Sequence, residues 1–114
     1  MNAPQPPKKS SGFSAADYPA LRSFLRGYFH QEMKDEYGSA EEAVREFCAA
    51  ASPEERADVA EEWSRFIDQT KGKSLAEINR ILTGPLGSSQ LLTSEEMQAI
   101  TTALARSLRK RGPD

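Results

Sequence analysis

The 114-residue chain is poor in the groups from which most active sites are built: it holds one cysteine, one histidine and one tryptophan, and only 8% of its residues are aromatic. Because Cys48 is alone, no intramolecular disulfide can form, which favours a reducing cytosol over a secreted location. No apolar run approaches the length of about 20 residues needed to cross a bilayer. The opening MNAPQPPKKSSG lacks the hydrophobic stretch of a secretory signal, so a cytoplasmic protein is expected. There is no glycine-rich phosphate loop, Walker lysine, paired-cysteine motif or nucleophile elbow. No catalytic residue, metal or cofactor is expected.

What is present is charge, unevenly spread. The net charge is only −2, from 15 Lys and Arg against 17 Asp and Glu, which argues against the whole molecule being a nucleic-acid binder. Between Glu32 and Asp68, however, 12 acids face four bases, so the middle is strongly acidic and the two ends are basic. At 38% hydrophobic and 28% charged, the chain has the composition of one globular domain. Residues 1–13, with Pro4, Pro6 and Pro7, read as a flexible tail, 14–110 as the folded unit and 111–114 as a loose C-terminal end.

Apolar positions keep helical spacing, and no useful stretch alternates with the period of two that a half-buried strand requires. The expected fold is all-α, a compact bundle of about five helices in a single domain. The first carries the stripe Leu21, Phe24, Leu25, Tyr28 and Phe29, starts near Asp17–Pro19 and stops at Gly38. The second runs from Ser39 to Ser52-Pro53 with Ala40, Ala43, Val44, Phe47 and Cys48 inward, and the third, ending at Lys71-Gly72, buries Val59, Ala60, Trp63, Phe66 and Ile67. A short fourth helix presents Leu75, Ile78, Ile81 and Leu82 up to Gly84-Pro85, and the last begins near Thr93 with Met97, Ile100, Leu104 and Leu108 inward. Four starts carry a hydroxyl three residues before a glutamate: Ser39–Glu42, Ser52–Glu55, Ser74–Glu77 and Thr93–Glu96. Each is a capping-box pattern, in which the hydroxyl and the carboxylate satisfy two orphan N–H groups, and losing one such cap costs about 1 kcal/mol.

His30, with Glu32, Asp35 and Glu36 nearby, invites a metal or acid–base reading, but His30 and Glu32 would lie on different faces of a helix. A partly buried imidazole bonded to a carbonyl or carboxylate fits better. Cys48, on an inward stripe, behaves as a small apolar residue. Arg106, Arg109, Lys110 and Arg111 cluster at the end of the last helix, where cations suit the helix dipole; a helical regulatory or adaptor protein touching nucleic acid through them is the alternative reading.

Three stretches, Tyr18-Pro-Ala-Leu-Arg-Ser-Phe24, Gly27-Tyr-Phe-His-Gln-Glu32 and Glu36-Tyr-Gly-Ser-Ala-Glu-Glu-Ala43, followed by Phe47, resemble the start of the immunity proteins of bacterial contact-dependent growth inhibition systems. The family pattern has an acid and an aromatic where Glu32 and Met33 stand here. The resemblance is carried by residues 18–47, and the segment Gly84–Gln90 and the last helix add no family motif to it.

The resemblance implies a small cytoplasmic helical protein that binds and neutralises a toxin domain delivered by neighbouring cells, possessing no catalytic group of its own. Toxins of such systems are often nucleases with basic clefts, so an acidic surface could occlude one. On that reading Asp35, Glu36, Glu41, Glu54, Glu55, Asp58, Glu61 and Glu62 are the candidate toxin-binding residues. Tyr28, Phe29, His30, Gln31, Glu32, Tyr37 and Gly38 are structural, building the corner between the first two helices: the rings fill the core, His30 satisfies a buried acceptor, and Gly38 takes the left-handed conformation that ends helix one.

Overall fold

The computed structural model describes residues 14–110; the tail expected over 1–13 and the loose end expected over 111–114 lie outside them. A 3-10 turn, Ala15–Asp17, leads into α1 (Pro19–Tyr28), followed by α2 (Met33–Tyr37), α3 (Ala40–Ala50), α4 (Pro53–Gln69), α5 (Leu75–Thr83) and α6 (Ser94–Lys110). Among the described residues there is no strand, and the all-α expectation holds, with five of the six helices seven residues or longer.

Three of the four capping boxes close in both directions. Ser52, Ser74 and Thr93 each accept from the N–H of the glutamate three residues on, at 3.1, 3.1 and 3.0 Å. The glutamates return the bond to the cap N–H at 2.9, 3.0 and 2.9 Å. The box at Ser39 is only half formed. Its hydroxyl accepts from the Glu42 N–H at 3.2 Å, but the Glu42 carboxylate is drawn instead to Arg45 at 3.3 Å, a cation one turn further along α3.

α6 lies against both α3 and α4, while α1 packs on α4 and α3, and α2 on α3. The core between them holds two aromatic groups. Tyr18, Trp63 and Phe66 form one, with ring centroids 6.4 Å apart for Tyr18–Phe66 and 5.6 Å for Trp63–Phe66. The Trp63 indole N–H donates to the Thr101 hydroxyl at 2.8 Å, tying α4 to α6. Phe24, Phe29 and Phe47 form the other, with Phe24 4.8 Å from Phe47 and 5.4 Å from Phe29.

The first predicted helix differs from the structure in an instructive way. It does not run on to Gly38; it stops at Tyr28, turns through 29–32 and restarts as α2. In an unbroken helix the carbonyls of Phe29, His30 and Gln31 would accept from the N–H groups four residues ahead. Here the connection between α5 and α6 reaches all three, the His30 carbonyl also accepting from the Met33 N–H at 3.1 Å within the turn. The Ser89 N–H donates to Phe29 at 2.8 Å, and the Gln90 side-chain amide donates to His30 at 2.8 Å and Gln31 at 3.3 Å. Gly38, at φ +94°, closes α2 in a conformation that L side chains rarely adopt.

On α5 the expected stripe holds at Leu82, which is fully buried, and at Ile78 and Ile81, half-buried against the core, but not at Leu75. Leu75 is 40% exposed, and the buried positions are Asn79 and Leu82. Asn79 is the polar member of the buried set: its oxygen accepts from the Leu92 N–H at 2.7 Å and its nitrogen donates to the Leu92 carbonyl at 2.8 Å, pairing with a peptide that would otherwise be orphaned in the interior.

Candidate functional site

Two glutamates that adjoin in sequence have opposite fates on α4. Glu61 is exposed and pairs with Arg65 at 2.8 Å, and Arg65 in turn donates to the Asp17 carbonyl at 3.2 Å and lies 4.8 Å above the Tyr18 ring. Burial pushes the Tyr18 phenol above its ordinary 10.0, with Arg65 working in the opposite direction. Glu62 is only 8% exposed and accepts from the Leu21 N–H at 2.8 Å. It is therefore a fastener between α4 and the first turn of α1, whose early N–H groups have no helical partner, and does not belong to an exposed acidic face. A sequence signal for this existed: position 62 falls on the same helical face as Val59, Trp63 and Phe66.

The remaining candidates divide by what they already hold. Glu36 lies 3.1 Å from His30 Nε2, Glu41 lies 3.0 Å from Arg45, and Glu55 closes the cap on Ser52. Asp35, Glu54 and Asp58 are exposed and carry no ion pair or hydrogen bond among the described side chains. Nor do the acids gather at one place. Glu55 and Asp58 line a cleft bounded by α1, α3 and α4, whereas Glu41 lines a shallow depression with Glu95 and Gln98 on the α3–α6 side.

The structural motif sits at the corner of α1, α2 and α3. Phe29 is fully buried, while half-buried Tyr28 stacks between Phe24 at 5.7 Å and Tyr37 at 5.6 Å. Burial and the nearby Glu36 carboxylate push the Tyr37 phenol above 10.0. His30 does not serve a buried acceptor. Its Nδ1 accepts from the Glu32 N–H at 3.1 Å while Nε2 faces the Glu36 carboxylate at 3.1 Å. The imidazole is half-buried and its carboxylate partner Glu36 is exposed, so the expected bond to a carboxylate is made at the surface and not in the core. Among the described residues no three His, Cys, Asp or Glu side chains are grouped so as to hold a metal ion.

Sequence reasoning also missed two features. Cys48 is not wholly inward: with Arg45, Arg56 and Arg106 it lines a cleft of about 590 Å³ between α3 and α6. Arg56 there donates to the Cys48 and Ala51 carbonyls at 3.1 and 3.0 Å, capping the end of α3. The second is the clamp on the motif turn by Ser89 and Gln90, which no local pattern announces.

Residues 17–99 match the model of a family described as CdiI immunity protein. The chain belongs to the CdiI immunity protein family. No curated protein and no solved structure matches it. The CdiI segment extends well past the stretch of residues 18–47 that carries the resemblance by eye, and takes in the 84–90 connection that holds the motif turn. Arg106 and the rest of the basic cluster lie beyond its end. Among the described residues, no helix of this CdiI protein is long and apolar enough to cross a membrane.

Proposed function

We propose that this CdiI family member works in the cytoplasm, binding the toxin domain of a secreted contact-dependent inhibition protein and neutralising it by stoichiometric occlusion through an acidic face. The observation that carries the reading is the state of the α4 carboxylates. Glu54 and Asp58 stand exposed without a partner among the described side chains, on a helix whose start is fixed by a complete capping box. Unneutralised charge held on a rigid scaffold attracts a basic surface at long range and costs little reorganisation on contact. Occlusion of this kind requires no catalytic group. A nuclease, whose substrate cleft must be basic, is the toxin class that such a face suits best.

The test is to purify the protein with the toxin domain encoded beside it and to reverse the charge at Asp35, Glu54 and Asp58. The wild type is expected to form a 1:1 complex and abolish toxicity. The triple variant should associate at least about tenfold more slowly at low salt, with a flatter salt dependence. Absence of a complex overturns the immunity reading; an unchanged association rate overturns its electrostatic part.

A further inference from the structure

The cleft bounded by α1, the end of α3 and the start of α4 has a volume of about 370 Å³ and a composition unlike the rest of the surface. One wall is aromatic. Phe24 and Phe47 stand 4.8 Å apart, and the half-buried ring of Tyr28 lies 5.7 and 5.6 Å from them. These rings hold one another in place: Phe24 and Phe47 are almost wholly buried, and half-buried Tyr28, stacked between Phe24 and Tyr37, is the ring that reaches solvent. Ala50 keeps the adjoining wall low, and the only charged groups lining the cleft are Glu55 and Asp58, one helical turn apart on α4. Glu55 commits one oxygen to the Ser52 N–H; Asp58 has no partner among the described residues.

An apolar wall beside two carboxylates asks for an occupant with a cationic head and an apolar stem. Arginine meets both requirements: its methylenes pack on the alanines and beside the Tyr28 ring, and its fork of N–H groups can reach two carboxylates at once. Lysine offers a point charge without the fork that two carboxylates can share. We propose that this cleft is the seat of an arginine side chain of the toxin domain, anchoring the complex at Tyr28, Phe47, Glu55 and Asp58. The assignment rests on the toxin-neutralising reading above and supplies it with a specific point of attachment.

Two variants test the seat while sparing the fold. Glu55→Gln combined with Asp58→Asn removes both charges, and glutamine keeps the acceptor that the Ser52 cap needs. Ala50→Leu fills the cleft from an exposed position without altering charge. With the neighbouring toxin domain as probe, each should bind at least about tenfold more weakly, chiefly through faster dissociation, at near wild-type melting temperature. In a double-mutant cycle, one toxin arginine changed to alanine should couple to Asp58→Asn. Wild-type affinity in both variants, loss confined to the association rate of the charge variant, or no coupled arginine overturns the seat and leaves the immunity reading standing. Failure of the wild type to bind the domain overturns both.

Discussion

The side-chain amide of Gln90 donates to the carbonyl oxygen of His30 at 2.8 Å, joining points 60 residues apart. With the bond to Gln31, it converts what the local sequence would continue as a helix into a turn.

Replacing Gln90 with alanine should therefore do more than remove one contact. Two carbonyls lose a partly buried donor, and a cost of about 1–2 kcal/mol is expected. For a domain of this size that lowers the melting temperature by roughly 4–16 °C. Amide hydrogen exchange should accelerate around Met33–Tyr37 before it does so in α4 or α6. Gln90→Glu, which presents oxygen to oxygen, should be at least as damaging; a wild-type melt for both variants would show that the clamp carries no stability.

Gly87 combines two constraints that genetics can separate. Its φ is +81°, and a Cβ placed on it would lie 2.7 Å from Arg26 Cγ. Gly87→Ala should cost about 1–3 kcal/mol in the urea midpoint. Trimming Arg26 to alanine in the same chain should recover the part due to crowding and leave the backbone part, so partial recovery is the expected result.

Glu62 offers a clean contrast with its exposed neighbours. Removing a buried acceptor from the Leu21 N–H predicts a loss of about 1–3 kcal/mol for Glu62→Ala and a smaller loss for Glu62→Gln, which can still accept. Toxin affinity of the folded protein should be unchanged. An unaltered melt with weakened toxin binding would return Glu62 to the docking surface.

The Ser74 cap gives a pH dependence of defined sign. The bond from the Ser74 N–H, helped by Lys73, holds the Glu77 carboxyl below its ordinary 4.5. A group whose pKa is lower in the folded state stabilises above its unfolded value, and that contribution drains away as pH falls through the folded value. Glu77→Gln keeps the acceptor but does not titrate. Its stability deficit against the wild type, read from urea midpoints, should be constant near neutrality and shrink below pH 4.5; a deficit that grows on acidification would contradict the assignment.

Features decided within one or two helical turns were legible in the sequence. The hydroxyl–glutamate pairs mark the starts of α3 to α6, and the stripes of α1, α3, α4 and α6 name most of the core. Features decided by distant partners were not. The break after Tyr28 depends on donors at Ser89 and Gln90, and the polar residues on inward faces, Glu62 and Asn79, make sense only once Leu21 and Leu92 are beside them. The acidic count likewise summed carboxylates that do different things: Glu42 and Glu61 hold arginines, Glu55 holds a cap, Glu62 holds the start of α1, and only a few face solvent unclaimed.

The interruption between α1 and α2 is a contest between two sets of donors for the same three oxygens. Should the 84–90 connector swing away, those oxygens become free to rejoin the spiral, and the two short segments would straighten into one rod, rotating Tyr37 off Tyr28. The stacking of Tyr37 on Tyr28 is thus tied, through the turn between α1 and α2, to Ser89 and Gln90, so that edits in a remote connector would reach this corner while leaving its rings unchanged.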